Sequence, residues 1–536
     1  MPQTDPREDQ TVGKVLAKRV ARDGDATFIV ADDRTLTYRE ADLASNRVAN
    51  AVETIGIAAG QTVLVMMPNV VEFVLVWLGL GKRGAIQVPV NTAYRGNLLV
   101  HVVNDSAART MIVEAQFLER LAEVADRLDH IERLIVFDRS GTASALPGPL
   151  SHLGREDFAA LLAAPETPRD ALPSFRDLKA VMYTSGTTGP SKGVMITHTH
   201  AYTYAHGGID LMNLEPGDVY YAPLPLFHIA GQWAMVYAAM IGGAAAVVSE
   251  KFSVERFWAD ARRFNATVTF FLGAMANFLA RQPEQPDDKE TPINRALVVP
   301  MFPTVYDFGK RFGMRIKTTY GSTEVNAPLR LDYDHPDWKT CGYLDDELFE
   351  AAILDEHDEE VAPGVVGEFC IRSKVPWILM AGYWRHPEWT EKAWKNLWLH
   401  SGDAMSRDAN GYFYFADRVK DAIRRRGENI SSMEVETEVN SHPAVLESAA
   451  FPVPSEHTED EVMVAVVAKD GAKLDPIDLI RFLEPRMAYF MVPRYVDIVA
   501  ALPKTPTGKI QKYELRDQGL TSSTWDREAA GIKLKR

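Results

Sequence analysis

Cysteine is almost absent from this chain. Cys341 and Cys370 are the only two in 536 residues, and they form no CxxC pair. That excludes a disulfide framework and a cysteine-rich zinc site, and it fits a reducing, cytoplasmic compartment. Positive charge is also scarce: 58 Lys and Arg against 73 Asp and Glu leave a net charge of −15. A general nucleic-acid binder needs a basic face, so that class is set aside, whereas a small anion needs only a few local cations. Internal repeats and low-complexity tracts are missing. The first ten residues are polar and acidic, unlike a secretory signal. Long apolar runs are nearly absent too. Residues 229–248 come closest, with only Gln232 strongly polar. Their length approaches a membrane span, but Gly242-Gly243 interrupts them and no basic flank sets an orientation. A buried helix, a Gly-Gly turn and a buried strand is the expectation, with no transmembrane segment.

What is present suits a large enzyme-sized chain. Hydrophobic residues make up 46% and charged ones 24%, ordinary for a globular protein of two to four domains. Thr35-Leu-Thr-Tyr-Arg-Glu40 leads into a helical pattern with Leu43, Val48, Val52 and Ile55 near one face. Strand-like runs follow at 62–67, 85–90, 110–113 and 134–137, with helical runs at 70–81 and 98–103. Such alternation predicts an α/β fold of doubly wound parallel or mixed sheets. Residues 141–173 read as a surface connection. Alternation then resumes, with strands at 219–224 and 244–249, helices at 254–264 and 274–280, and an exposed acidic loop at 282–292. Residues 364–372 and 411–415 read as a strand and a hairpin strand. A boundary is expected near Asp417, giving domains 1–417 and 418–536. The second should be a small α+β unit with strands at 444–453, 462–468 and 495–499, a helix at 476–487, and a loose polar last dozen residues.

The centre of the chain is Tyr183-Thr-Ser-Gly-Thr-Thr-Gly-Pro-Ser-Lys-Gly-Val194. Three glycines, a proline and five Ser or Thr hydroxyls fall within twelve residues, and Lys192 adds a positive charge. Glycines let backbone N–H groups turn towards an anion, and hydroxyls add donors, so the loop suits a polyphosphate. It is not a Walker A loop, because Ser191 precedes Lys192 and Gly193 follows it. Four more motifs carry chemistry. They are Tyr320-Gly-Ser-Thr-Glu324, Ser401-Gly-Asp403, Arg418, and Pro503-Lys-Thr-Pro-Thr-Gly-Lys509-Ile510. A carboxylate such as Glu324 beside a triphosphate makes physical sense only through a hard cation.

Together these stretches, in this order from about Thr37 to Arg516, closely resemble the adenylate-forming superfamily. That superfamily holds acyl-CoA synthetases, nonribosomal adenylation domains and firefly-type luciferases. The region from Phe227-His228 to Arg424-Arg-Arg-Gly-Glu-Asn-Ile-Ser431 looks most like the crotonobetaine/carnitine–CoA ligase branch. The resemblance implies two steps. A carboxylate attacks the α-phosphate of MgATP to give an acyl-adenylate and pyrophosphate, and a thiol, usually that of CoA, then displaces AMP. It implies ATP contacts from Thr184, Ser185, Gly186, Thr187, Thr188, Gly189 and Lys192. Tyr320 would lie against the adenine, Thr323 would bond the α-phosphate, and Glu324 would hold Mg²⁺. Asp403 and Arg418 would take the ribose or phosphate. Lys509 would bridge carboxylate and α-phosphate during adenylation, on a small mobile domain hinged at Lys420. The family usually has threonine where Ser401 stands; the hydroxyl is kept.

The acid pocket is less legible. His228 matches the position beside the incoming acyl group, and a core histidine is its rival. Trp233, Phe271, Gly273 and Met275 are further candidates, though core packing alone would explain them. Residues 295–303 replace the Gly-Gly-Ala-Pro-like turn that packs on adenine in many relatives, so adenine contacts there do not carry over. Three alternatives stay open at this stage. The acceptor is an amine or a carrier-protein thiol; the chain is a nucleotide-binding sensor; or it is a phosphate-loop motor or kinase. Relatives are often dimers, which implies a possible homodimer.

Overall fold

The computed structural model describes residues 5–141, 145–168, 172–184, 191–418, 422–426, 428–456, 459–503, 510 and 512–534. Two compact units emerge. The first comprises Met1–Thr92, Val103–Tyr183 and Gly193–Asp417; the second comprises Ala93–Val102, Thr184–Lys192 and Arg418–Arg536.

Three sheets build the first unit. One has eight strands, and its centre is parallel: Ile86–Pro89, Thr62–Met66, Thr110–Glu114 and Arg133–Phe137 lie side by side. These are the apolar runs of the sequence, and burial on both faces is why they read as continuous Val, Ile and Leu rather than as alternation. Helix Tyr38–Thr54 starts where Thr37 and Glu40 close a capping box. Val48 and Val52 face the core from it, while Leu43 and Ile55 are half-buried. The expected plain connection at 141–173 is corrected in one respect. Gly154–Asp157 pairs in parallel with Arg133–Phe137 as an edge strand, followed by helix Phe158–Leu162. Its Gly-Arg-Glu-Asp composition hid it, because an edge strand needs no apolar face.

The second sheet has seven strands, with Arg315–Lys317, Arg295–Val299, Val268–Leu272, Val219–Tyr221, Ala245–Val247 and Thr27–Val30 parallel in that order. The apolar run at 229–248 becomes a π-helix at Ala230–Tyr237, an α-helical turn at Ala238–Gly242, a left-handed Gly243 (φ 82°) and the strand Ala245–Val247. No helix among the described residues is long and apolar enough to cross a membrane.

One core residue has a measurable pH consequence. Lys179, on strand Leu178–Thr184, is 1% exposed. Its ammonium donates to Trp77 O (3.1 Å) and lies 5.7 Å from the Trp77 ring centre. Burial drives its pKa down from 10.5 to about 7. Between those two values the unfolded chain binds a proton that the folded chain does not, so this group makes stability rise with pH across that window. Lys179→Met should therefore stabilise the protein at pH 7 by an amount on the order of a few kcal/mol. The gain should shrink towards zero near pH 10. Urea unfolding of both proteins across that range checks it; parallel pH curves would remove the effect.

The third sheet is antiparallel throughout the pairs described. Thr319–Ser322, Asn326–Arg330, Thr340–Leu344, Tyr412–Arg418, Trp398–Arg407, Gly367–Ser373 and Phe349–Leu354 follow one another across it. Between Gly367–Ser373 and Trp398–Arg407 the register jumps. Cys370 faces His400, yet Glu368 faces Ala404, so Ser401, Gly402 and Asp403 form a bulge. Gly402, at φ 76°, supplies the left-handed residue that this excursion needs.

In the second unit, Val445–Pro454, Asp460–Ala468 and Tyr495–Ile498 form a sheet, with helix Pro476–Leu483 beside them in sequence. A fourth strand, Trp525–Asp526, corrects the expectation of a loose tail. Arg527 is 4% exposed and donates to Pro493 O and Ile532 O. A buried guanidinium satisfied by carbonyls anchors the tail, and polar composition concealed it.

Candidate active site

The motifs at 320–324 and 401–403 meet inside the first unit. Tyr320 stands on strand Thr319–Ser322 and is 9% exposed; Asp403 is 5% exposed. The Tyr320 hydroxyl donates to Asp403 Oδ2 at 2.6 Å. Phe369 supports the ring edge-on, with centres 5.2 Å apart. The bulge carrying Asp403 is tied down at each residue. Ser401 Oγ donates to Phe369 O (2.6 Å), Gly402 N–H donates to Glu368 Oε1 (2.9 Å), and Asp403 N–H donates to Ser401 Oγ (3.1 Å). Serine thus performs the turn-closing role with its hydroxyl alone.

After Tyr320 the chain reverses sharply. A Cβ on Gly321 would lie 2.4 Å from Asn326 O, which only glycine avoids. The turn delivers Glu324 with both carboxylate oxygens engaged. Ser322 Oγ donates to Oε2 (3.1 Å) and the Tyr383 hydroxyl donates to Oε1 (3.3 Å). Burial, and then the Glu324 charge, push the Tyr383 phenol well above its usual range, so it remains a donor at neutral pH. Tyr383 belongs to the short strand Gly382–Tyr383, which pairs with Lys192–Thr197 at Val194. Sequence reasoning missed Tyr383, because 59 residues separate it from Glu324. The described side chains bonded to the Glu324 carboxylate, Ser322 and Tyr383, offer oxygen, which fits a hard divalent cation such as magnesium that takes one or two carboxylates plus phosphate oxygens.

Of the phosphate loop, Thr184 closes strand Leu178–Thr184 and Lys192 opens strand Lys192–Thr197, both half-buried. Ser191 Oγ donates to Thr184 O at 3.0 Å, pinning the loop's two ends together. Ser185, Gly186, Thr187, Thr188 and Gly189 lie outside the described residues, as do Lys420 and Lys509. Arg418 is the last residue of strand Tyr412–Arg418. Thr323 sits half-buried between Ser322 and Glu324.

The expected acyl-pocket residues lie after strand Val219–Tyr221 and on strand Val268–Leu272 with the helix that follows it, two strands that are neighbours in the seven-stranded sheet. His228 is half-buried at the entry to the π-helix, where its carbonyl accepts from Gln232 N–H (3.0 Å); its ring lies 4.7 Å from that of Phe227. Trp233 and Phe271 are fully buried, and Met275 is 7% exposed. Gly273 starts helix Gly273–Ala280, and a Cβ there would come within 2.4 Å of Pro300 O. The atypical stretch is strand Arg295–Val299 running into a cis Val299–Pro300 bond.

The profile of the AMP-binding enzyme family matches residues 16–384, and that of the AMP-binding enzyme C-terminal domain matches residues 434–509. A crotonobetaine/carnitine–CoA ligase of Escherichia coli is 31% identical over 489 residues, 90% of this chain and 93% of that one. Among solved structures, a Mycobacterium tuberculosis fatty acyl CoA synthetase is 25% identical, with a TM-score of 0.68 over 96% of this chain and 99% of that chain. An amide bond synthetase from Marinactinospora thermotolerans shares the fold at a TM-score of 0.81 and 24% identity, over 94% of this chain and 99% of that chain.

Proposed function

The chain belongs to the AMP-binding enzyme family as an adenylate-forming acid–CoA ligase, and from that premise we propose how its own residues divide the work. The substrates are ATP, a carboxylic acid and CoA. In the first step a carboxylate oxygen bonds to the α-phosphorus while the bond to the pyrophosphate oxygen breaks. In the second the CoA sulfur bonds to the acyl carbon, the thiol proton leaves, and AMP departs. Both reactants of the first step are anionic, so positioning and charge neutralisation carry it. Tyr320 packs against the adenine while its hydroxyl orients Asp403 towards the ribose hydroxyls. Arg418 binds ribose or phosphate. The loop from Thr184 to Lys192 and Thr323 bind the phosphates, and Lys509 draws the carboxylate to the α-phosphate. Glu324, held by Ser322 and Tyr383, would bind Mg²⁺, which when bound neutralises the triphosphate charge. The observation that carries this reading is the buried Tyr320–Asp403 bond, which joins the two nucleotide motifs.

The acid is apolar or ring-bearing. His228 is the one titratable side chain among the acyl-pocket candidates, and Trp233, Phe271 and Met275 supply no counter-charge for a charged carnitine-like group. Two cysteines, both free, suit the cytoplasm. The test is mass spectrometry of products from a panel of acids supplied with ATP, Mg²⁺ and CoA. AMP, pyrophosphate and an acyl-CoA should form in equal amounts with an apolar or aromatic acid. Adenylate without thioester would move the acceptor to an amine or a carrier protein, and turnover confined to cationic acids would overturn the pocket assignment.

A further inference from the structure

Behind the bulge lies a cluster that nucleotide chemistry does not use. Glu368 and Cys370 stand two apart on strand Gly367–Ser373, so both side chains leave the same face of the sheet. The register places His400 directly opposite Cys370. His400 Nδ1 lies 2.9 Å from Glu368 Oε2 and 3.4 Å from Cys370 Sγ, and one ligand atom from each residue falls within 4.8 Å of the other two. Cys370 is fully buried, and the His400 side chain is 9% exposed.

We propose that Glu368, Cys370 and His400 form a binding site for a zinc-class divalent cation, stapling the two strands that carry the Ser401-Gly402-Asp403 bulge. Zinc bonds of about 2.0–2.1 Å to nitrogen, 2.0–2.2 Å to oxygen and 2.3 Å to sulfur, arranged tetrahedrally, set ligand atoms roughly 3.3–3.6 Å apart. The two His400 distances come within about half an ångström of that spacing, and the Glu368 and Cys370 ligand atoms lie within 4.8 Å of each other. A thiolate and an imidazole beside a single carboxylate select zinc over magnesium. Three protein ligands leave one coordination position for water.

The outer shell fits as well. A metal-bound histidine commonly donates its other N–H to a carboxylate, which fixes the tautomer. His400 Nε2 is buried with no hydrogen-bond partner, 3.7 Å from Asp358 Oδ1, and Asp358 is itself held by the Asn396 amide. Burial raises the Cys370 thiol pKa, and the charges of Glu368 and Asp358 raise it further, against a smaller opposing pull from Lys395. A bound dication would reverse that repulsion and take the thiolate form. Sequence spacing hid the site, since Cys370 and His400 are 30 residues apart and resemble no zinc motif.

Cobalt(II) reports the site directly, because a cobalt–thiolate bond absorbs strongly in the near ultraviolet. Chelator-treated full-length protein titrated with Co²⁺ should show that band at one equivalent. Zn²⁺ should abolish it stoichiometrically, and millimolar Mg²⁺ should leave it intact. Cys341→Ser should retain the band; Cys370→Ser and His400→Gln should lose it. Zn²⁺ should raise the Tm of the wild type and of Cys341→Ser by several degrees and leave Cys370→Ser unmoved. If Cys370→Ser does not fold, His400→Gln, which keeps an amide beside Glu368, decides in its place. No thiolate band in the wild type, or a band that survives in Cys370→Ser or His400→Gln, would overturn the proposal.

Discussion

Glu324→Gln should lower acid-dependent pyrophosphate release by about 10²-fold or more, the scale of a lost charge stabiliser at a reacting phosphate. The substitution keeps the shape of the side chain. Its amide can still meet Ser322 and Tyr383, and the backbone bond from Met380 N–H to the residue 324 carbonyl (3.0 Å) is untouched. What disappears is the negative charge that a hard cation requires. The loss should therefore fall on kcat for adenylation and on the Mg²⁺ concentration needed, with little change in Tm. Tyr383→Phe should show a weaker form of the same Mg²⁺ shift, because it removes one donor and keeps the ring. The check is a Mg²⁺ titration of pyrophosphate release for all three proteins. Wild-type rates for Glu324→Gln at ordinary Mg²⁺ would take Glu324 out of the metal site.

Lys509→Ala should separate the two half-reactions. Its ammonium is useful only while two anions are brought together, so acid-dependent pyrophosphate formation should fall by about 10²-fold or more. Conversion of supplied acyl-adenylate to thioester by CoA should persist near the wild-type rate, since the second step presents no such pair. Assaying each half separately decides it. Equal slowing of both halves would mean that Lys509 acts through folding or general nucleotide binding, and the assignment of a step-specific charge would be wrong.

Much of this architecture was legible in the chain, and the legible parts share a cause. Strands buried on both faces, such as Thr62–Met66 and Thr110–Glu114, announce themselves as unbroken β-branched runs. Residues 229–248 resolved into helix, turn and strand because two glycines mark the reversal. Structure held by polar groups stayed hidden. Gly154–Asp157 is an edge strand with no apolar residue, and Trp525–Asp526 is fixed in place by the buried Arg527. At the site, the motifs identified the residues to examine but not their partners. The Tyr320–Asp403 bond and the Tyr383–Glu324 bond each join positions far apart in the chain, and no local pattern encodes such a pairing. For the Glu368–Cys370–His400 cluster one signal was available. An expected strand at 364–372 puts Glu368 and Cys370 on one face, and His400 immediately precedes the Ser-Gly-Asp motif.

The bulge at 401–403 also sets a rule for how this segment can change over evolutionary time. Downstream of it, the buried Met405 alternates with the half-buried Ala404 and Ser406. Side chains on a strand alternate faces with a period of two, so gaining or losing one residue between His400 and Ala404 would exchange those faces. Met405 would turn to solvent, and Asp403 would no longer point at Tyr320. Ser401 is held through its hydroxyl, which donates to Phe369 O, so a threonine there would keep that bond. Length is not free to drift: an insertion or deletion here would have to come in pairs of residues, or be answered by a compensating one on strand Gly367–Ser373.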